Sequence, residues 1–110
     1  RDNWFPTQRL DADARYATKS VAILAARAKQ AFFEYQPLRI NPDEPERIYR
    51  SWRHGTAFEI FALDMRSYRG PNTPNRQPEP GGDAALLGST QVEWLKQALA
   101  RSTSTWKVIA

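Results

Sequence analysis

The chain has 110 residues, enough for one small domain, and a net charge of +4. It contains no cysteine, which excludes disulfides, cysteine-ligated zinc and a thiol nucleophile. Four tryptophans and a hydrophobic fraction of 41% predict a packed core. The 16 lysines and arginines form no dense basic run, so we expect no specific nucleic-acid partner. No apolar run reaches the ~20 residues that a membrane-spanning helix needs, and we therefore expect no membrane span.

The first predicted element is a long helix over residues 14–35. Asp11 or Asp13 is expected to cap its start, and Pro37 to end it. Apolar residues recur there at spacings of three and four, which places them on one helical stripe: Ala17, Val21, Leu24, Ala28, Phe32 and Tyr35.

The strands that follow predict a hairpin and a crossover. Residues 48–53 and 58–65 are rich in β-forming side chains, and the glycine-containing connection between them is typical of an antiparallel hairpin. A loop rich in proline and glycine over 70–88, a helix over 90–101 and a strand over 106–110 complete a β-loop-α-β crossover. The fold class is therefore α/β, with parallel strands 58–65 and 106–110.

The second helix carries its own sequence signature. Thr90 and Glu93 stand three residues apart, as in a capping box, in which each side chain bonds a free backbone N–H group. We expect Trp94 on this helix and Trp106 on the last strand to be buried.

Polar residues at the end of the second strand are the strongest candidates for a site. Asp64 interrupts the apolar run, and a carboxylate at the carboxyl end of a strand is typical of a ligand crevice in an α/β sheet. The alternative is that Asp64 only caps a turn or pairs with Arg66. Arg66, together with Arg39 and Arg69, could bind a phosphate oxygen, or each could be a solvated or ion-paired side chain.

Two further residues have alternative interpretations. Asn3 could ligate a hard metal ion through its side-chain oxygen, although an asparagine before a tryptophan is more often a turn residue. His54, the only histidine, is expected on the surface of the hairpin and not as a base or metal ligand. The residues therefore predict no complete catalytic apparatus, and no catalytic residue is assigned.

Several consecutive blocks resemble the PhoD-like alkaline phosphatases of the calcineurin-like metallophosphatase superfamily. The blocks are residues 31–39, 46–55, 61–69, 87–95 and 106–109, in the order and spacing of that family. The resemblance implies a two-sheet α/β/β/α sandwich, of which residues 1–110 would be a partial domain truncated at both ends. The chain starts without methionine and ends in a strand-like run, which also leads us to expect a piece of a longer protein.

The same resemblance implies a metal-dependent phosphoric ester hydrolase, a phosphomonoesterase or phosphodiesterase that uses calcium and iron and is exported from the cytoplasm. The family's Asp-Asp-His-Glu block would lie just upstream of Arg1, so Asn3 would fall in or beside the metal site. Asp64 would face the site, and Arg66 would lie on the phosphate side. Most metal ligands would lie outside these residues, so the isolated segment is expected to be inactive.

Two alternatives stay open at this point. The chain could be a self-standing module that binds an anionic ligand such as nucleic acid, or a sugar, through its basic surface and exposed tryptophans. It could also be a degenerate homologue that keeps the fold and has lost its metals.

Overall fold

The computed structural model describes residues 2–74, 76–79 and 81–110. Within them lie two α-helices, a short 3₁₀ helix and one three-stranded sheet of strand order β1-β2-β3. The bounds are α1 Val21–Tyr35, β1 Arg50–His54, β2 Phe58–Ala62, the 3₁₀ helix Gly82–Ala84, α2 Ser89–Arg101 and β3 Trp106–Ile109. The predicted α/β class is confirmed, while Asn75 and Pro80 of the predicted loop lie outside the described residues.

The start of α1 differs from the prediction. The helix begins at Val21, and the cap is Ser20, whose hydroxyl accepts the Ile23 N–H. Residues 11–19 instead form a loop whose base is closed by the Leu10 N–H, which donates to the carbonyl of Lys19 at 2.9 Å. This backbone pairing replaces the helical hydrogen bonds predicted for residues 14–20, so capping by Asp11 or Asp13 was wrong.

The end of α1 agrees with the prediction, since the backbone leaves the helix at Gln36, just before Pro37. The predicted apolar stripe is only partly used. Val21 is buried, but Tyr35 is 83% exposed and takes no part in the core.

The hairpin is confirmed, but both strands are shorter than predicted: β1 covers Arg50–His54 instead of 48–53, and β2 ends at Ala62 instead of residue 65. β1 pairs antiparallel with β2 in a register that sets Arg50 opposite Ala62 and His54 opposite Phe58. The connection turns at Gly55, whose φ of +58° lies in the left-handed region that favours glycine.

The crossover is also confirmed, because β2 and β3 are parallel neighbours. The predicted capping box is wrong. The cap of α2 is Gly88, with φ +76° and no side-chain cap bond, so Thr90 already lies inside the helix. A Cβ at Gly88 would lie 2.8 Å from the Cβ of Tyr68, and glycine is therefore the residue that allows this close approach.

The core lies on the face of the sheet that α2 covers. Phe61 is fully buried, and its ring meets Trp94 edge-on at 6.5 Å. Trp94 is half-buried and also contacts Tyr49, with 4.9 Å between the ring centroids. The remaining buried apolar residues, Leu10 and Val21, join the N-terminal loop to α1.

The opposite face of the sheet is open. Side chains alternate along a strand, so Ile60, Trp52 and Trp106 point away from the face that holds Phe61. Trp106 is 71% exposed, which makes its predicted burial wrong; the reason is that it lies on an edge strand and on the uncovered face.

The dimensions of the chain agree with this open arrangement. Its radius of gyration is 16.5 Å, whereas a compact domain of this length has a radius of about 13 Å. Neither α1 nor α2 has the length and apolar character that crossing a membrane requires, and the same holds throughout the described ranges.

Candidate functional site

Asp64 lies two residues after the end of β2 and is 6% exposed. Its Oδ1 accepts the backbone N–H groups of Arg66 at 3.0 Å and Ser67 at 2.8 Å. The carboxylate therefore closes the turn that follows the strand, in the way aspartate side chains often do. Its other oxygen, Oδ2, is buried and has no hydrogen-bond partner among the described residues.

Gln91, in the first turn of α2, fixes the backbone of Asp64. Its Oε1 accepts the Asp64 N–H at 2.7 Å, and its Nε2 donates to the carbonyls of Asp64 at 2.9 Å and Leu87 at 2.8 Å. Gln91 is only 1% exposed. Buried polar groups are nearly always hydrogen-bonded, and this side chain satisfies three backbone groups at once. The start of α2 and the end of β2 are thereby joined.

Sequence reasoning missed this glutamine. A signal was present, because Gln91 shares the helical spacing of Trp94, Leu95 and Ala98, which puts a polar side chain on an otherwise apolar stripe. A buried polar side chain must find hydrogen-bond partners. The predicted capping box instead assigned the polar contacts of this turn to Thr90 and Glu93.

The structure brings Arg66 and Asn3 together across 63 residues of sequence. Arg66 Nη2 donates to Asn3 Oδ1 at 3.4 Å. Asn3 has a left-handed backbone with φ +49°, and its carbonyl accepts the side-chain amide of Asn72 at 2.6 Å. The N-terminal turn, the end of β2 and the long loop therefore meet at one place, and all three predicted site residues, Asn3, Asp64 and Arg66, lie there.

Arg66 carries a charge that no carboxylate among the described residues neutralises. The described residues place no carboxylate within ion-pair distance of its guanidinium, and its Nη1 is buried without a hydrogen-bond partner among them. A half-buried cation in this state is unfavourable unless an anion approaches it. Arg69 shows a similar feature, since its Nε is buried and unpartnered within the described ranges.

Tyr68 lies between this turn and the start of α2. Its ring meets Tyr49 edge-on at 5.7 Å. Burial raises the pKa of Tyr68 above its usual value of 10.0, with smaller contributions from Tyr49 and from the negative charge of Asp64. The phenol is therefore neutral at physiological pH.

The remaining candidates lie apart from this place. His54 is exposed at the end of β1, where its ring stacks on Phe58 at 5.2 Å. Arg39 is exposed in the link after α1, and its carbonyl accepts a hydrogen bond from Arg50.

The described residues do not form a metal site by themselves. They contain no group of three or more histidine, cysteine, aspartate or glutamate side chains placed to hold an ion. Asn3 Oδ1 is an oxygen of the kind that hard cations accept, but its present partner is the guanidinium of Arg66, whose charge opposes a cation at that point. Asn3 could supply at most one ligand to a site completed by other residues.

Comparisons with known proteins agree with the resemblance seen in the sequence. The model of the PhoD-like phosphatase family matches residues 1–110. Alkaline phosphatase D of Bacillus subtilis (strain 168) is 33% identical over 103 residues, an alignment that covers 86% of this chain and 18% of the relative. A solved structure described as "Structure of PhoD" is similar with a TM-score of 0.67 and 28% identity, over 99% of this chain and 22% of that chain. The chain thus spans about a fifth of the length of these relatives. It belongs to the PhoD-like phosphatase family.

Proposed function

We propose that the full-length protein is a phosphoric ester hydrolase and that this segment supplies a cation for the substrate's phosphoryl oxygens. The observation that carries the proposal is the state of Arg66, which has no carboxylate partner among the described residues and only a long contact of 3.4 Å to Asn3. A guanidinium presents parallel N–H donors that match two oxygens of a phosphate. Membership of the PhoD-like phosphatase family supports a phosphate ester as the anion.

The surrounding hydrogen bonds would hold Arg66 ready for this role. Asp64 accepts the Arg66 backbone N–H, and Gln91 fixes Asp64 from the opposite side. A donor that is already in place costs no reorganisation when charge develops on the phosphoryl oxygens, and such prearranged donors are among the largest contributions to catalysis. Asp64 and Gln91 are therefore positioning residues, and no residue of the segment is assigned a proton transfer or a nucleophilic attack.

Metal dependence is part of the proposal for the full-length protein. The family resemblance implies calcium and iron, which would polarise the phosphoryl oxygens of a bound ester. Asn3 would contribute one oxygen if the Arg66 guanidinium turned from it toward the substrate's anion, and the other ligands would come from outside these 110 residues. The expected consequence is that Asn3→Ala lowers the metal content of the purified protein.

We propose the two-sheet sandwich as the fold of the whole domain, with residues 1–110 as one part of it. The open face around Trp52 and Trp106 supports this arrangement, since a sheet with apolar side chains on both faces requires cover on both. An extracytoplasmic location is likewise a proposal, and it rests on the family resemblance alone.

Arg66→Ala in the full-length protein tests the proposed role. Loss of a hydrogen bond to a charged group costs about 1.5–3 kcal/mol, which is about a 10- to 150-fold fall in kcat/KM for bis-p-nitrophenyl phosphate. Arg66→Lys keeps the positive charge but not the parallel N–H donors, so its kcat/KM should lie between those of the unchanged protein and Arg66→Ala. Arg101→Ala is the matched control, because Arg101 is exposed in the last turn of α2. If Arg66→Ala stays within twofold of the unchanged protein, the proposed role is wrong; if the unchanged protein hydrolyses no phosphate ester, the proposed function is wrong.

One observation favours a second candidate, a binding module for nucleic acid. Trp52 and Trp106 are 45% and 71% exposed on the same sheet face, where bases could stack. A titration with single-stranded DNA at increasing salt separates the two functions, because binding to a phosphate backbone weakens steeply with salt. No binding at low salt would remove this candidate.

A further inference from the structure

A groove of about 700 Å³ runs along α1 and begins beside the Arg66 site. One wall is a helical stripe of α1 at spacings of three and four, and the other is the N-terminal turn with the link that follows α1. The volume lies within the range of about 300–1,000 Å³ that small-molecule sites occupy. The lining is largely apolar and includes Trp4, Pro6, Ala26, Phe33 and Ile40.

The groove shares its walls with the proposed phosphate site. Asn3 and Arg66 contact each other, and the residue after each of them, Trp4 and Ser67, lines the groove. Consecutive Cα atoms are about 3.8 Å apart, so the groove reaches the backbone positions next to Asn3 and Arg66, although these two side chains do not line it. A ligand with an anionic end at Arg66 and an apolar body would therefore reach both.

From this geometry we propose that the groove receives the apolar organic group of a phosphate ester or phosphonate whose anionic end is bound at Arg66. The inference rests on the proposed function for the identity of the anionic end. The polar lining residues are Lys29, Gln30 and Glu34 on α1, with Glu46 and Ser67 outside it, and the alanines of the α1 stripe together with Phe33 form the apolar contact surface. An apolar substituent gains contact with this surface as it lengthens, whereas a short ester bound at Arg66 does not extend along it.

Alkylphosphonates of increasing chain length test the proposal by titration calorimetry on the full-length protein. Burial of one methylene contributes ~0.8 kcal/mol at most, so each added carbon from ethyl- to octylphosphonate should lower the dissociation constant about two- to fourfold. This series needs no variant, and calorimetry needs no turnover. If ethylphosphonate binds but the dissociation constant does not change with chain length, the proposed role of the groove is wrong and the proposed function is unaffected.

A bulky substitution locates the contact. Ala26→Trp places an indole in the groove, and octylphosphonate should then bind no more tightly than ethylphosphonate. Ala31→Trp is the matched control, since Ala31 is exposed on the same helix and does not line the groove. A chain-length dependence that survives Ala26→Trp overturns the assignment, and so does its loss in Ala31→Trp. If another part of the full-length protein fills the groove, the dissociation constants for the unchanged protein will not depend on chain length, and the proposal is wrong.

Discussion

Replacement of Gln91 by leucine removes the connection between the end of β2 and the start of α2. The substitution nearly keeps the volume of the side chain but deletes its acceptor and its donor. The Asp64 N–H, the Asp64 carbonyl and the Leu87 carbonyl then lose the bonds of 2.7, 2.9 and 2.8 Å that Gln91 makes. Because Gln91 is 1% exposed, water does not replace them without local opening of the structure.

The expected loss of stability follows from these three groups. A buried backbone group without a partner costs about 1–3 kcal/mol, so two or three of them cost more than the added apolar contact of leucine returns. We expect Gln91→Leu to lower the free energy of unfolding of the full-length protein by about 3 kcal/mol or more.

Urea unfolding followed by tryptophan fluorescence measures this loss, since Trp94 lies one turn after Gln91 on α2. Gln97→Leu is the matched control on the same helix. Its amide makes a single exposed bond of 2.9 Å to Glu93, and an exposed substitution of this kind changes stability by less than about 0.5 kcal/mol. Equal effects of Gln91→Leu and Gln97→Leu would refute the reasoning, because only Gln91 is buried.

Three further predictions concern the backbone, the open face and a carboxylate. Gly88→Ala should destabilise by more than the ~1–2 kcal/mol that a left-handed backbone costs an L-residue, since its Cβ would also meet Tyr68 at 2.8 Å; Gly55→Ala, with φ +58° and open space, should show the backbone cost alone. Trp106→Thr should lower the free energy of unfolding of the full-length protein, measured in urea, by about 3 kcal/mol if a second sheet covers the open face. Ser102 lowers the pKa of Glu59 below its usual 4.5, chiefly by a hydrogen bond, so this stabilisation is present above pH 4.5 and is lost as the pH falls through the lowered pKa. Ser102→Ala should therefore reduce the fall in stability between pH 6 and pH 3, measured by unfolding at each pH.

Each of these has a contrary result. Equal losses for Gly88→Ala and Gly55→Ala would show that the approach of Tyr68 relaxes without cost. An unchanged unfolding midpoint for Trp106→Thr would show that the face stays open, and Tyr35→Thr, at a side chain that is 83% exposed, is its control. If the stability difference between Ser102→Ala and the unchanged protein does not change with pH, Ser102 does not act through the pKa of Glu59.

Local patterns in the sequence were enough for the order of the elements. The hairpin follows from β-forming side chains on both sides of Gly55, and the crossover from a strand, a loop and an amphipathic helix before the last strand. Asp64 was predicted as a site candidate for the same reason, since one charged residue ends an apolar run. These signals depend on neighbours within a few residues, where propensity and periodicity decide the conformation.

The tertiary structure decided what depends on distant residues. The pairing of residues 8–10 with 19–21 replaced the predicted first turns of α1, because a backbone bridge outweighs the helix propensity of an alanine-rich segment. Only the folded chain places Asn3 beside Arg66 and Gln91 against Asp64, across 63 and 27 residues. Trp106 is exposed because its strand lies at an edge and faces away from α2. The sequence by itself determined the order of the two α-helices and three strands and indicated the family. Long-range contacts decided which side chains meet, because burial and hydrogen-bond pairing are properties of the assembled fold.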